Sequence, residues 1–341
     1  QALCFLSSRR ITRGCSYSSS PAPSFTKPLF VVRCSVKGRV TGLLDMWHGK
    51  GLFSIQHVFS RDDLEDISTK EDLETAARRE FGETPEVKQK SLEQLRQLLQ
   101  GEEDLRIPPD DVLVMFLRAK KYRVEDAFKT TRKYLRVRRD MPEYYDNLTP
   151  QNIPYKTFFN DHGIIMFGRH ARGRAVGYLR LGKWNTDICT IDDLMTCTAV
   201  AEESNLREEQ TQVHGFVAII DLEGFGFHQL IHMTPKFVRR VATIAQDSLP
   251  TRIKAICYVN TPPVYKIVHA LIKPFLSAKL LNRVHFLAGD ISELHEVVPP
   301  ELIPKGFGGT QEDYDFDAQE KFFHSKMDYF ETMLQCGYQK K

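Results

Sequence analysis

The 341-residue sequence contains 42% hydrophobic and 27% charged residues, and its formal net charge is +3. These proportions are those of an ordinary globular protein, and the sequence has no apolar run long enough for a transmembrane helix. The charge is unevenly distributed, because residues 1–59 contain eight basic residues and one acid, which leaves the rest of the chain at −4. This balance argues against a globally basic surface for nucleic acids.

Residues 1–59 are predicted to be a disordered or non-native leader. The segment begins at Gln1, is rich in Ser and Arg and is nearly free of acids. This composition is typical of a transit peptide, but equally of disorder or of untranslated sequence with Met46 as the true start. We expect residues 1–45 to contribute nothing to the fold. The seven cysteines form no CxxC pair, which favours reduced cysteines in a cytosolic protein.

Residues 60–142 are predicted to form a small helical domain. Leu92, Leu95 and Leu99 recur at helical spacing, and the pattern ends at Gly101. Two prolines and two aspartates at residues 108–111 favour the start of another helix. A further helix is predicted from the apolar positions Val124, Ala127, Phe128, Thr131 and Leu135.

Residues 150–312 are predicted to form an α/β domain with a mostly parallel sheet. Short β-rich runs alternate there with helical segments, as in parallel sheets with crossover helices. The predicted strands are residues 163–167, 175–181, 215–222, 253–259 and 284–287. The predicted helices are residues 191–209, 234–247 and 263–281, and a last helix is predicted within residues 313–341.

The sequence contains no motif that favours catalysis. The pair Gly224 and Gly226 follows a predicted strand without a third glycine, so a dinucleotide-binding loop is not favoured. His228 and His232 could share a helical face, but no further metal ligand is apparent. We therefore predict a protein that is not an enzyme and has no cofactor and no metal site.

Residues 262–283 contain the most informative pattern, a strongly amphipathic helix interrupted by Pro274. A surface helix packed on the sheet would give the same periodicity. However, a proline bends a helix, and a bent apolar helix suits a lid over a cavity. The predicted gate residues are Val264, Ile267, Val268, Leu271, Ile272, Phe275 and Leu276.

Six segments in register resemble the CRAL-TRIO lipid-binding family, especially the branch with the α-tocopherol transfer protein, retinaldehyde-binding protein and clavesin. The resemblance extends over about residues 85–325. The segments are Phe116-Leu117-Arg118-Ala119-Lys120, Glu209-Gln210-Thr211-Gln212 with Gly215-Phe216, Asp221-Leu222-Glu223-Gly224, Gln246-Asp247-Ser248-Leu249-Pro250, Lys273-Pro274-Phe275-Leu276, and Leu302-Ile303-Pro304 with Phe307-Gly308-Gly309.

The resemblance implies an N-terminal helical domain followed by an α/β domain whose sheet lies beneath a lipid pocket. It also implies that the helix at residues 262–281 is a mobile gate. A basic cleft for phosphatidylinositol bisphosphates is implied at Lys120, Arg252, Lys254, Lys279 and Arg283. Without the resemblance, four of these residues on either side of the gate would be interpreted as ordinary solvated charges.

The resemblance further implies which residues face the lipid. These are Met195, Thr198, Ala199, Glu202, Phe216, Ala218, Ile220, Val241, Ile244, Ala245, Leu249 and Ile256. Glu202 departs from the family pattern, because the tocopherol protein has a small hydroxyl residue at that position. Either the ligand carries a hydroxyl, or Glu202 points elsewhere and Thr198 supplies the polar contact.

The predicted function is therefore the binding of a tocopherol- or retinoid-like lipid and its transfer to membranes bearing phosphatidylinositol bisphosphates. The alternative is a phosphoinositide-sensing trafficking adaptor that transfers no cargo. The predicted location is the cytoplasm with peripheral attachment to endosomal or Golgi-type membranes, or an organelle if the leader is native. The sequence identifies neither the cargo, nor the phosphoinositide isomer, nor the oligomeric state.

Overall fold

The computed structural model describes residues 70–161, 165–169, 174–287, 291–313 and 315–339. All of them belong to the compact unit Ser54–Lys341. The predicted leader at residues 1–59 lies outside the described residues. The division into domains at residues 60–142, 150–312 and 313–341 stays a prediction.

The first half of the described chain is helical, as the apolar spacing predicts. Its main helices are α1 (Lys70–Phe81), α2 (Pro85–Gln100), α3 (Asp110–Ala119), α4 (Val124–Asp140) and the short α5 (Pro142–Tyr145), with strand β1 (Leu105–Arg106) between α2 and α3. The Thr84 side chain caps α2 by accepting a hydrogen bond from the Val87 amide at 3.2 Å. Leu95, Leu99 and Leu113 are fully buried where α2, α3 and α4 pack together.

The second half is built on a five-stranded sheet with the order β2-β3-β4-β5-β6. The strands are β2 (Ile165–Arg169), β3 (Ala175–Arg180), β4 (Phe216–Asp221), β5 (Ile253–Val259) and β6 (Val284–Phe286). Strand β2 is antiparallel to β3, whereas β3 to β6 are parallel. The predicted α/β class with a mostly parallel sheet is therefore confirmed.

Helices connect the parallel strands. They are α6 (Ile191–Leu206) and α7 (Glu209–His214) before β4, then α8 (Phe227–Leu230) and α9 (Pro235–Thr243) before β5, and α10 (Tyr265–Ile272) and α11 (Ala278–Leu281) before β6. A π-helical turn, Ile244–Ser248, follows α9. A capping box at Thr190 and Asp193 starts α6, with each side chain bonded to the other residue's amide.

The C-terminal segment is not one helix, so that prediction is wrong. After α12 (Ile291–Val297), the chain forms α13 (Phe316–His324), α14 (Met327–Gln335) and strand β7 (Gly337–Tyr338). Extended backbone at Cys336 ends α14, and Gly337 follows it with a φ of 105°. Strand β7 then pairs antiparallel with β1, which ties the end of the chain to the helical region.

The two faces of the sheet are packed differently. On one face, alternate residues such as Val217, Ile219, Ala255 and Cys257 form a close-packed core with α12, and none is more than 1% exposed. On the other face, Phe216, Ala218, Ile220 and Ile256 are only half-buried although they lie on central strands. The second face therefore has incompletely filled space above it.

Candidate functional site: two adjoining cavities

A cavity of ≈ 310 Å³ collects all five basic residues that were predicted to form a cleft. Lys120, Arg252, Lys254, Lys279 and Arg283 come from three separate parts of the chain and line the same space. We call this space the basic cavity. Its full lining is Glu80, Ala119, Lys120, Lys121, Ala245, Leu249, Thr251, Arg252, Ile253, Lys254, Ser277, Lys279, Leu280 and Arg283.

The parallel strands bring most of these cations together. Arg252 and Lys254 lie at the start of β5, and Arg283 directly precedes β6, which pairs with β5. The Arg283 guanidinium donates to the Ile253 carbonyl, and the Ile256 amide donates to the Arg283 carbonyl at 2.8 Å. The backbone thus fixes two of the cations beside each other.

Gly215 allows the chain to approach Arg252 closely. It has a φ of 93°, and a Cβ atom there would lie 2.5 Å from the Arg252 carbonyl oxygen. Because L side chains rarely adopt this conformation, and because such a contact is sterically forbidden, the position requires glycine. The next amide, that of Phe216, donates to the Arg252 carbonyl at 3.0 Å.

The end of α3 supplies two lysines, of which the sequence analysis identified only Lys120. Lys121 also lines the basic cavity, and it and Tyr122 have φ values of 52° and 56°. Two successive non-glycine residues in the left-handed region are an uncommon, strained arrangement. Arg118 anchors this turn, because its guanidinium donates to Glu83 at 2.8 and 2.9 Å and to Gln212 of α7 at 2.7 Å.

The cations of the basic cavity are imperfectly neutralised. Burial and the nearby Arg252 charge lower the pKa of Lys254 to about 8. Burial and the Arg283 charge also lower the pKa of Lys279. Glu80 is the carboxylate on the cavity wall, and its Oε2 accepts from the Arg252 guanidinium at 2.8 Å. An additional anion would therefore be stabilised there.

A second, smaller cavity of ≈ 30 Å³ adjoins the first. We call it the apolar cavity. Six of the twelve predicted lipid-facing residues line it: Met195, Thr198, Ala199, Glu202, Ile244 and Leu249. Tyr144, Tyr145 and Glu203 complete the lining and were not predicted. Leu249 lines both cavities, so the two share a wall.

The other six predicted lipid-facing residues lie outside the lining of this cavity. Phe216, Ala218, Ile220 and Ile256 are on the half-buried sheet face described above. Val241 is half-buried on α9, and Ala245 lines the basic cavity instead. Because the apolar cavity has about the volume of one water molecule, a lipid could enter only if its walls moved.

The two adjacent carboxyls of α6 have opposite environments. Glu203 is buried and accepts from Arg138 at 2.8 Å, from Tyr134 at 3.0 Å and from Tyr329 at 3.1 Å. Glu202 faces the apolar cavity and accepts from the Thr251 hydroxyl at 3.0 Å. Burial, together with the Glu203 charge, raises the pKa of Glu202 to about 7.

The Thr198 hydroxyl forms a hydrogen bond within its own helix, because it donates to the Leu194 carbonyl at 2.8 Å. Both Thr198 and Glu202 line the apolar cavity, so the choice between them as the polar contact stays a prediction.

The prediction of one bent helix over residues 262–281 is wrong, whereas the role of this segment as a gate stays a prediction. Helix α10 ends at Ile272, a 3-10 turn covers Lys273–Phe275, and α11 begins separately after Ser277. Pro274 has no amide hydrogen, so it cannot continue the α-helical hydrogen bonds. Ser277 then caps α11 by accepting from the Leu280 amide at 3.3 Å.

Most gate residues lie where the amphipathic pattern places them, with one exception. Val268 is buried, and Val264, Ile272, Phe275 and Leu276 are half-buried. Ile267 was predicted on the inner face but is 50% exposed, since it lies one helical step, about 100°, from the inward-facing Val268. The Leu271 side chain lies outside the described residues.

Comparison with known proteins gives consistent relatives. Residues 160–309 match the model of the CRAL/TRIO domain. The chain is 32% identical over 253 residues to "Alpha-tocopherol transfer protein-like" of Homo sapiens, which covers 74% of this chain and 72% of that protein. The chain belongs to the CRAL/TRIO family.

Two further proteins are similar to this chain. Clavesin-1 of Rattus norvegicus is 29% identical over 243 residues, which is 70% of this chain and 68% of clavesin-1. The crystal structure of Sfh5 superposes with a TM-score of 0.49 at 16% identity, covering 75% of this chain and 96% of Sfh5.

Aromatic residues that the sequence analysis missed support the gate of this CRAL/TRIO protein. The Tyr258 ring of β5 stacks on Phe286 of β6 at 5.0 Å, and Tyr265 of α10 packs against Tyr258 at 5.2 Å. Arg239 of α9 lies over the Phe275 ring at 5.6 Å. Ring contacts to the sheet and to α9 therefore hold the segment that is predicted to be the gate.

Large apolar side chains of this CRAL/TRIO protein are exposed beyond the carboxyl ends of three adjacent strands. Ile188 follows β3, Phe227 and Ile231 follow β4, and Ile267 follows β5, with exposures of 61%, 71%, 70% and 50%. We call them the apolar rim. Gln229 of α8 donates to the Gly182 and Trp184 carbonyls at 3.2 and 3.1 Å, which fixes α8 against the segment after β3.

The part of the chain that the structure describes contains no helix long and apolar enough to cross a membrane. Among the same residues, no group of three or more His, Cys, Asp or Glu side chains is arranged to hold a metal ion.

Proposed function

We propose that the protein binds a small hydrophobic lipid, tocopherol- or retinoid-like, in a gated pocket and transfers it to membranes by recognising phosphatidylinositol bisphosphates. The observation that carries this proposal is the shared wall between the basic cavity and the apolar cavity. A membrane headgroup and an apolar cargo would thus lie on opposite sides of Leu249.

The chemistry of the basic cavity supports the headgroup. Its volume of ≈ 310 Å³ is at the lower end of the range for small-molecule sites. Six lysines and arginines beside a single carboxylate would stabilise several phosphate oxygens at once. Burial, and next the Arg252 charge, lowers the pKa of Lys254, so a bound anion would favour its protonated form.

The broken gate supports transfer. Arg252 and Lys254 precede the gate segment, and Lys279 and Arg283 follow its break at Pro274. A headgroup that binds all four cations would therefore contact both ends of the segment. We propose that bisphosphate binding favours the open gate and so releases the cargo at the membrane.

The apolar rim supports docking to a membrane surface. Isolated exposed apolar residues are ordinary, but four large ones beyond neighbouring strand ends form a candidate interfacial patch. Burying such side chains at the acyl boundary would add to the electrostatic attraction of the basic cavity. We therefore propose a cytoplasmic protein that attaches to membranes peripherally and reversibly.

Cosedimentation with phosphatidylcholine vesicles that contain phosphatidylinositol bisphosphate tests the headgroup half of this proposal. Replacing Lys279 and Arg283 together by alanine should weaken binding about tenfold or more, since each cation contributes roughly 1 kcal/mol near an anionic surface. The control is the double variant Lys129→Ala and Lys321→Ala, which removes two exposed lysines from α4 and α13. Equal binding by the two double variants would contradict the proposal.

The second candidate function is a phosphoinositide-sensing adaptor that carries no cargo. The small volume of the apolar cavity, ≈ 30 Å³, favours it. Mass spectrometry of lipids extracted from the purified protein separates the two functions. A stoichiometric apolar lipid would support the carrier, whereas protein that binds bisphosphate vesicles but contains no lipid would support the adaptor.

A further inference from the structure

We propose that Glu202 selects the cargo, and that the apolar cavity takes a lipid carrying a hydroxyl group that donates its hydrogen to the Glu202 carboxyl. The inference rests on the proposed lipid-binding function, and it names the chemical class of the ligand at the same site. It concerns a specificity-determining residue that differs from the small hydroxyl residue implied by the family resemblance.

The geometry leaves one face of the carboxyl available. Oε1 of Glu202 accepts from the Thr251 hydroxyl at 3.0 Å. Within the described part of the chain, Thr251 is the one hydrogen-bond partner of this carboxyl. The carboxyl also lines the apolar cavity, so its second oxygen can meet a ligand there. The Thr251 bond fixes the direction in which that oxygen is presented.

Apolar side chains surround this carboxyl in the cavity, which Tyr144, Tyr145 and Glu203 also line. Met195, Ala199, Ile244 and Leu249 form an apolar wall around it. Thr198 also lines the cavity, but its hydroxyl is bonded to the Leu194 carbonyl. In an apolar site, a correctly placed polar group rejects ligands that cannot satisfy it, because it would then be buried without a partner.

The charged neighbours do not neutralise Glu202. Glu203, the next residue of α6, accepts hydrogen bonds from Arg138 of α4 and from two tyrosine hydroxyls. Tyr144 and Tyr145 of α5 are the titratable groups that share the cavity with the two carboxyls. Burial is therefore the main cause that raises the pKa of the Glu202 carboxyl to about 7, and both protonation states occur near neutral pH.

A hydroxyl group satisfies both of these states. It donates to the ionised carboxylate and accepts from the protonated acid. An aldehyde or ketone can only accept, so it matches only the protonated acid. A methyl ether has the same limitation. The carboxyl thus favours an alcohol or a phenol over the corresponding carbonyl compound or ether.

The test compares retinol with retinyl methyl ether, two probes with the same apolar body, by quenching of tryptophan fluorescence at pH 8. The full chain should bind retinol about tenfold more tightly than the ether. In Glu202→Met, which is apolar and of similar length, this preference should disappear while ether binding persists. In Glu202→Gln, whose amide can accept from retinol but can also donate to the ether oxygen, the preference should shrink to less than about threefold.

The control is Glu331→Met, which makes the same change at an exposed position of α14 and should retain the preference. If the wild-type chain binds both probes equally well, the role of Glu202 is wrong, although the lipid-binding function stands. If the wild-type chain binds neither probe while binding bisphosphate vesicles, the carrier function itself fails for retinoid-like cargo, and the inference fails with it. A preference that survives in Glu202→Met also overturns the inference.

Discussion

The basic cavity and the apolar cavity share a wall, yet they are prepared for their ligands in different ways. The basic cavity has ≈ 310 Å³ of space, and strand pairing, Gly215 and the Arg118 anchor fix its cations. The apolar cavity has only ≈ 30 Å³. The proposed headgroup site is thus preformed, whereas the proposed lipid site would have to open.

This difference follows from what each kind of ligand requires. Cations repel one another when brought together, so a rigid backbone has to hold them until the anion binds. An apolar cavity kept open without its ligand would lose the dispersion contacts of its walls. In the absence of ligand, a lipid carrier is therefore expected to have a collapsed apolar cavity and an open basic cavity.

The largest predicted effect contrasts the two carboxyls of α6. Glu203→Ala leaves the buried Arg138 guanidinium without its counter-ion, so the free energy of unfolding should fall by about 3–5 kcal/mol. Glu202→Ala should produce no comparable loss, because that carboxyl has a single hydroxyl partner. Urea denaturation at pH 8 measures both variants. Equal losses would contradict the assignment of one residue to structure and the other to the cavity.

The second prediction concerns the pH dependence that burial of Glu202 imposes. Its pKa is raised from 4.5 to about 7, so the folded state binds the proton more tightly than the unfolded state does. Wild-type stability from this group is therefore complete below pH 4.5 and is lost as the pH rises to about 7. Glu202→Gln should be more stable than wild type at pH 8, by on the order of 3 kcal/mol.

Thermal unfolding from pH 4 to pH 8 tests this prediction. The advantage of Glu202→Gln over wild type should shrink as the pH falls below about 7 and vanish near 4.5. A difference that is constant with pH would show that Glu202 is ionised and well solvated in the folded protein, and the contrast with Glu203 would then be weaker.

The third prediction tests the rigidity of the basic cavity. Gly215→Ala places a Cβ atom 2.5 Å from the Arg252 carbonyl oxygen, so it should cost about 1–3 kcal/mol and displace Arg252 and Lys254. Gly82→Ala is a matched control, because Gly82 also has a positive φ but its Cβ would meet nothing within 4 Å. Vesicle binding should fall more in the first variant. Identical behaviour of the two would argue against a preformed site.

The smallest predicted effect concerns Lys121, which the sequence analysis missed. This exposed lysine lines the basic cavity, so Lys121→Ala should weaken binding to bisphosphate vesicles about fivefold, or roughly 1 kcal/mol. Lys129→Ala is the control on α4, and its vesicle binding should match that of wild type. Unchanged binding by Lys121→Ala would restrict the headgroup site to the five residues named from the sequence.

The sequence predicted the sheet well because strand periodicity is local. The bounds of β5 match the prediction, and the other four strands differ by a few residues at their ends. Only the family resemblance implied that four cations come together, namely Arg252, Lys254, Lys279 and Arg283. The sequences of β5 and β6 do not show that these two strands pair. The placement of these cations around one cavity remains consistent with that implication.

Features that depend on tertiary contacts could not be predicted. Lys121 and Tyr122 form a left-handed turn although neither is a glycine, so nothing in the sequence indicates this turn. The hydrogen bonds of Arg118 lie beside it in the structure. The pairing of Glu80 with Arg252 joins residues far apart in the chain. Pro274 did signal a disturbance of the gate helix. Only the structure shows that the Ser277 cap turns this disturbance into a complete break.

Transfer kinetics test the central claim, that a headgroup in the basic cavity opens the apolar one. Retinol-loaded protein is mixed with acceptor vesicles that either contain or lack phosphatidylinositol bisphosphate, and the loss of bound retinol is followed by fluorescence. Transfer should be about tenfold faster to the bisphosphate vesicles, and the double variant Lys279→Ala and Arg283→Ala should lose this acceleration. Equal rates to the two kinds of vesicle, with retinol loading intact, would contradict the account.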